Sequence, residues 1–414
     1  MATFRPFRAV RPTPKYASRV AALPYDVMNA DEARVMVKDN PWSFLHVDKA
    51  EIDLPRNLYH YDEAVYEKAA ANLRHMKADG VMEQDDVPGF YIMEQTWNGR
   101  TQTGLVGCAS IDDYKNSVIK RHENTLPAKE TDRIRHVTAC NANTGPIFLT
   151  YRENPDITAI VHGVKADAEP VYDFTTEDGV RTRCWVISDP ETTQALSAGF
   201  HDVDSLYIAD GHHRCASAYR VGENKRAEHP GYDGTEEFNY FLAIAFPSSD
   251  LAIMDYNRVA MVPDEMTRTE LFAKIGLNFY VEEMGTEPCR PEEPWTIGMY
   301  YDRKWFRLTA REDTFDKKDP VASLDVSVLQ NNLIDPVLEI ADPRTNDRIA
   351  FIGGIRGLKE LERRANSDMD IAFAMYPTTL DQLMDIADAG ELMPPKSTWF
   401  EPKLLSGLFI HELD

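Results

Sequence analysis

The chain has 414 residues, 43% of them hydrophobic, with 68 Asp and Glu against 45 Lys and Arg. That length allows two or three domains and that apolar fraction supports real cores, which excludes a disordered or fibrous protein. A net charge of −23 repels polyanions, so a nucleic acid has no footing outside a local basic patch.

In chain order, DEARVMVKDNP after Asn29 predicts a short helix capped by Asn29 or Asp31, and Tyr61 to Asp79 predicts a longer one ended by Gly80. Gly89 to Gln95 and Thr101 to Ile111 flank Asn98-Gly99, a hairpin signal. Short runs at Ile147 to Tyr151, Ile157 to Val161, Cys184 to Ser188 and Ser205 to Ala209 suit strands. The last is followed by Asp210-Gly211-His212-His213-Arg214 and then by a stretch of helical composition, a strand–turn–helix unit. Tyr240 to Phe246 predicts a buried strand returning beside it. Beyond about Asp250 come a hairpin, WTIGMYY-DRK-WFRLTAR, and helices around Val321 to Asn332, Ile355 to Ala365 and Thr379 to Ala389. Strands at Ile349 to Ile352 and Ile371 to Met375 are interleaved with them, and Gly285 to Pro294 reads as a loop. The expected division is a lobe over 1–250 and an α/β lobe over 251–414 that lends a closing loop at 394–404, with the seam near Pro247 to Asp250.

The five cysteines form no CxxC pair, which removes zinc knuckles and dithiol redox sites and fits a reduced compartment. Residues 1–15 lack the apolar stretch of a signal peptide, and the longest apolar run, Tyr240 to Phe246, is far short of the ~20 residues of a membrane span. A cytoplasmic protein with no membrane partner is expected. No Gly precedes a Lys, so a P-loop is absent, and there is no GxGxxG, HExxH, GxSxG or kinase signature set.

Four constellations remain. Asp210 to Arg214 stands between an apolar strand and a helix: Gly211 permits a tight turn, the helix N-terminus favours anions, and His212, His213 and Arg214 add donors for phosphate. Asp210 at the strand end is placed to hold a divalent metal or to orient His212. The plainer alternative is an Asp-capped helix with surface histidines. In Lys120-Arg121-His122-Glu123-Asn124-Thr125, with Lys129 and Arg133 following, cations hold Glu123 ionised and ready to accept a hydroxyl proton. Its alternative is a solvated charged turn paired with Glu130 and Asp132. The stiff segment Pro394 to Lys403 presents Lys396, Ser397, Thr398 and Lys403 to a phosphate, or else is a C-terminal loop packed by Trp399 and Phe400. The N-terminal run Arg5, Arg8, Arg11, Lys15 and Arg19 is part of an anion site or a charged tail on an acidic body. Asn143 and Thr144, in Asn143 to Pro146, belong to a ligand loop or a plain turn, and Cys215 reads as a small buried residue.

Taken together and in order, PYDV (Pro24 to Val27), KRHENT (Lys120 to Thr125), NTGPIF (Asn143 to Phe148), ADGHHR (Ala209 to Arg214) and PPKSTWFEPKL (Pro394 to Leu404) resemble the bacterial and archaeal domain-of-unknown-function family 1015 over nearly the whole chain. ADGHHR is also similar to the signature turn of the ParB/sulfiredoxin superfamily, which includes partition CTPases, sulfiredoxins and free-serine kinases. The resemblance implies a mixed α/β (α+β) fold with a ParB/sulfiredoxin-like core at about 100–250 and a second α/β lobe. It further implies Glu123 as the base acting on a serine hydroxyl and Asp210 as a metal-binding or catalytic carboxylate. Lys120, Arg121, His122, Gly211, His212, His213, Arg214, Lys396, Ser397, Thr398 and Lys403 would then hold phosphate, with Thr125, Asn143 and Thr144 at the substrate. The lack of a helix-turn-helix and the acidic charge speak against DNA binding, and His212 in place of the sulfiredoxin cysteine speaks against sulfinic acid reduction.

The expected activity is a Mg²⁺-dependent kinase making O-phospho-L-serine from free L-serine. Pyrophosphate is the favoured donor, with ATP or ADP behind it, and the missing P-loop favours a donor held by its phosphates. The alternatives are a CTP- or ATP-binding switch and a scaffold whose DGHHR is only a capped turn. A homo-oligomer is compatible with all three.

Overall fold

The computed structural model describes residues 1–414. The chain divides into two units, Met1–Leu251 with Pro402–Asp414, and Ala252–Glu401. The C-terminal segment 402–414 thus departs from the boundary expected at 250. It belongs to the first unit because its backbone completes pairings there: His411–Glu412 lie antiparallel to Ala142–Asn143, and Ser406 bridges to Ala22.

The first unit is built on a nine-stranded mixed sheet. Its strands are β1 (Phe4–Arg5), β2 (Phe90–Trp97), β3 (Arg100–Ser110), β4 (Ile119–Lys120), β5 (Ile147–Tyr151), β6 (Tyr172–Thr175), β7 (Arg181–Ile187), β8 (Leu206–Asp210) and β9 (Tyr240–Pro247). They run in the order β4-β8-β5-β9-β3-β2-β7-β6, with β1 added to β3. Its longer helices are α1 (Ala30–Met36), α2 (Glu63–Ala78), α3 (Pro127–Cys140), α4 (Pro155–Asp167), α5 (Pro190–His201) and α6 (His212–Glu228). One core cluster joins Phe4, Phe90, Ile92, Trp185, Leu206, Ile208, Phe241 and Cys215 of α6, all buried. Cys215 is therefore the small packed residue expected.

Local signals account for many of these elements. Asn29 accepts from the Asp31 and Glu32 N–H groups while Glu32 bonds back to the Asn29 N–H, a capping box that starts α1. The hairpin β2–β3 turns at Asn98-Gly99 with Trp97 opposite Arg100. Two readings are corrected. Ile157 to Val161 is helix, not strand, because Asn154 accepts from the Asp156 and Ile157 N–H groups and Pro155 opens α4, while Ile157 and Val161, four residues apart, face the core together. Strand β9 does not lie beside β8: β5 stands between them, parallel to β9 and antiparallel to β8. The polar stretch before Ile147 also holds an unanticipated helix, α3, with Pro127 at its start. The N-terminal arginines tie the chain down: Arg5 covers the Tyr240 ring at 3.6 Å, and Arg11 grips Asp85 with Nε 2.8–2.9 Å from both carboxylate oxygens.

The second unit is an antiparallel sheet of β10 (Tyr256–Ala260), β11 (Phe279–Gly285), β12 (Thr296–Tyr301), β13 (Lys304–Ala310), β14 (Ile349–Gly353) and β15 (Ile371–Ala374), in the order β11-β13-β12-β15-β10-β14. Helices α7 (Arg268–Asn278), α8 (Leu358–Ala365) and α9 (Leu380–Asp388) accompany it, and Val259, Trp305 and Leu361 are central to its core. The helix expected over Val321 to Asn332 is shorter in its α form, Asp325–Leu329, and continues as a π turn over Gln330–Ile334. No helix of either unit is long and apolar enough to cross a membrane.

Candidate functional site

Three strand ends meet at one edge of the first unit's sheet. Strands β4 and β8 are parallel neighbours, Ile119 opposite Leu206 and Lys120 opposite Tyr207, so the residues after Lys120 and after Asp210 leave on the same side. Strand β5 is antiparallel to β8, so the loop before it, Thr144 to Pro146, reaches that edge too. The β8–β5 register shifts between Ile208 and Asp210, bending the chain as it enters the turn.

Gly211 has φ 93° and ψ 32°, a left-handed conformation that turns β8 directly into α6. Its N–H donates to Asp210 Oδ1 at 2.8 Å. The first-turn N–H groups of α6 have no intrahelical acceptor and carry the positive end of the helix dipole. Arg214 folds back over the turn, its guanidinium 3.1–3.2 Å from where a Gly211 Cβ would stand, and donates to the Pro146 carbonyl.

Lys403 reaches this turn from the far end of the chain, Nζ 3.2 Å from Asp210 Oδ2. Two glutamines opposite one another on β2 and β3 place it: Gln95 Nε2 donates to the Lys403 carbonyl at 3.0 Å, and Gln102 Nε2 donates to Gln95 Oε1 at 3.0 Å. Burial alone would raise the Asp210 carboxyl, but Lys403 and Arg214 outweigh it and hold Asp210 down at about 2. It is a carboxylate at any physiological pH.

From the other strand, His122 and Glu123 come against α6. The His122 and His212 rings meet edge to face, centroids 4.5 Å apart, and Glu123 Oε2 lies 3.9 Å from His212 Nδ1. Burial pushes His122 down to about 4 despite Asp210, and burial with the neighbouring His122 puts His212 well below the usual imidazole range. Lys120 stands 5.9 Å from the Tyr207 ring centroid, and Arg121 is exposed.

Several of the other candidate residues have partners of their own. His213 Nε2 accepts the Leu126 N–H at 3.0 Å, where α3 begins, which gives that ring a capping role. Thr125 donates to Glu130 Oε2 at 3.0 Å, Thr144 donates to Asp48 Oδ1 at 2.8 Å, and Asn143 Oδ1 accepts the Leu242 N–H at 3.3 Å. Lys396, Ser397 and Thr398 lie in the second unit. There Arg258 donates to the Lys396 carbonyl at 3.2 Å, Ser397 donates to Pro394 O at 2.6 Å, and Thr398 is half-buried.

Sequence reasoning did not single out Asp48 or Tyr25, which line cavities beside Arg214 and Arg133. A small cavity of about 30 Å³ is lined by Arg214, Arg133, Thr144, Asp48 and Tyr25, and beside it a cleft of about 310 Å³ shares Tyr25, Asp48 and Arg133 and adds Asp132. The Arg133 guanidinium stacks 4.0 Å from the Tyr25 ring centroid. Tyr25 was visible only inside PYDV. Asp48 ends a short helix, Leu45–Asp48, whose composition signals nothing; it is buried and accepts from Thr144.

Among solved structures, the chain is similar to a free serine kinase variant in complex with AMP, at 14% identity and a TM-score of 0.37, covering 72% of this chain and 87% of that one. It is similar to a conserved hypothetical protein from Pyrococcus furiosus at 14% identity and a TM-score of 0.35, covering 73% and 92%. A C-terminally truncated SbnI from Staphylococcus aureus matches at 12% identity and a TM-score of 0.37, covering 72% and 85%. No curated protein matches the chain. The model of one family, described as "Protein of unknown function (DUF1015)", matches residues 4–327. With most of the chain inside that match, including the KRHENT segment, the strand β8 and the turn that follows it, the protein belongs to the DUF1015 family.

Proposed function

We propose that the protein is a phosphotransferase acting on a small hydroxyl compound, with free L-serine as acceptor and O-phospho-L-serine as product. Pyrophosphate is the favoured donor, with ATP or ADP as alternatives. The observation that carries this reading is the position of Glu123, a carboxylate 3.9 Å from His212 at the N-terminus of α6. A base must lie within reach of the phosphate cradle to be useful to it.

In this reading the α6 N–H groups and Arg214 hold the donor phosphates, and Glu123 takes the proton from the attacking hydroxyl. Lys403, Lys120 and Arg121 neutralise charge on the transferring group. Phosphoryl transfer is catalysed mainly by such positioning and charge stabilisation rather than by covalent chemistry. Mg²⁺ suits oxygen ligands and keeps several waters, being held by one or two carboxylates together with substrate phosphates. Asp210, an ionised carboxylate beside the cradle, fits that donor set. When bound, the ion would supply charge neutralisation at the phosphates. Asp210 itself holds the Gly211 N–H and Lys403 and so keeps the turn in register.

The test is ³¹P NMR of the purified protein with L-serine and Mg²⁺ and, in separate tubes, pyrophosphate, ADP and ATP. Phosphoserine in one tube would identify reaction and donor together. Its absence from all three, with the protein folded, would refute the proposal.

A further inference from the structure

The two imidazoles beside Glu123 have a property that phosphate binding leaves unused. His122 and His212 are 2% and 6% exposed, yet His122 Nδ1 and His212 Nε2 have no hydrogen-bond partner. A buried polar atom left unpaired costs about 1–3 kcal/mol, and native proteins hold few of them. Here two occur on rings in contact, next to a carboxylate. Imidazole ligates metal through an unprotonated ring nitrogen.

One donor atom from each of His122, Glu123 and His212 lies within 4.8 Å of the other two. Donors around a tetrahedral ion at about 2.0–2.1 Å stand roughly 3.4 Å apart, so a modest closure of side chains brings the three onto one centre. Two nitrogens and one carboxylate suit a d-block divalent ion, whereas Mg²⁺ prefers oxygen alone. We propose that His122, Glu123 and His212 bind a divalent cation of the zinc class, with at least one coordination position left open. Its ligands are other residues than the Asp210 proposed for Mg²⁺; it shares Glu123 with the phosphotransfer reading but is read out independently of it. A carboxylate that ligates through one oxygen keeps the other for a proton.

The experiment uses the full chain, stripped with a chelator and titrated with Co²⁺, whose visible d–d absorption reports coordination number. Expected are one equivalent of Co²⁺ bound with the intense bands of four- or five-coordination, displacement by Zn²⁺ and no displacement by excess Mg²⁺. His122→Gln and His212→Asn should each weaken binding by at least about tenfold, while His229→Gln, an exposed histidine outside the group, leaves it unchanged. Glu123 is half-exposed, so Glu123→Gln decides the matter if the buried histidine variants do not fold. The inference is overturned if the folded protein takes up no stoichiometric Co²⁺ or Zn²⁺, if the folded site variants bind as the parent does, or if Mg²⁺ displaces Co²⁺. The readout needs neither serine nor a phosphoryl donor, so a failed kinase assay leaves its result standing.

Discussion

Replacing Gly211 with alanine tests whether the turn between β8 and α6 is held as described. At φ 93° an L residue costs about 1–2 kcal/mol relative to glycine. The added methyl would stand 3.1 Å from Arg214 Nε and Nη2 and 3.2 Å from its Cζ, so the guanidinium must slide outward. If that breaks its bond to the Pro146 carbonyl, a charged hydrogen bond of about 1.5–3 kcal/mol is lost as well. The expected destabilisation is therefore about 1–2 kcal/mol if Arg214 merely adjusts and roughly 2.5–5 kcal/mol if it is displaced. For a unit of this size, 1 kcal/mol shifts Tm by about 2–4 °C, so even the smaller loss lowers Tm by roughly 2–8 °C. Gly145→Ala is the control: its methyl would meet Ser406 Oγ at 3.2 Å and Arg214 Nη1 at 3.5 Å, on a backbone that is not left-handed. The assay is calorimetry of parent and both variants, followed by pyrophosphate titration, in which Gly211→Ala should bind more weakly. A Gly211→Ala Tm within about 1 °C of the parent would refute the backbone argument. Equal falls in the two variants would show that contact with Arg214, not the left-handed turn, sets the cost.

Glu123→Gln should lower phosphoserine formation by roughly 10²–10⁴, the scale of a positioned general base, and a fall below about threefold with an intact fold would remove Glu123 from that role. In the second unit, burial raises the Asp325 carboxyl to about 7 against the pull of the Trp295 N–H. The folded state therefore holds a proton that the unfolded state loses near pH 4, so stability is full below about pH 4 and declines as pH rises to about 7. Asp325→Asn should flatten that slope in a Tm series from acid to neutral pH, and parallel curves would sink the assignment. Gly298 lies under the Cys289 carbonyl, where a Cβ would come within 1.9 Å of the oxygen. Gly298→Ala must move backbone and should cost more than the 0.5–3 kcal/mol range of ordinary substitutions. Gly276, inside α7 with open space around it, should instead gain about 0.5–1 kcal/mol as alanine. Urea midpoints check both, and the same sign of change for the two would contradict the packing described.

How much of this was legible in the sequence depends on the reach of each interaction. The capping box of Asn29 and Glu32, the Asn98-Gly99 hairpin and the passage from β8 through Gly211 into α6 are decided by residues a few positions apart. Their propensities and hydrogen bonds need no distant part of the chain. The strand–turn–helix placing of Asp210 to Arg214 was readable for the same reason: glycine, helix start and arginine are contiguous. Ile157 to Val161 misled because a β-branched run reads as strand until Asn154 and Pro155 are seen to start a helix. What the chain could not announce locally is the company those residues keep. The parallel pairing of β4 with β8 sets Glu123 and His122 beside His212, and two glutamines on another hairpin bring Lys403 to Asp210 across 193 positions of chain. Strand order and burial are settled by the whole hydrophobic core at once. The low titration of the imidazoles, the ionised state of Asp210 and the unpaired nitrogens follow only from that packing.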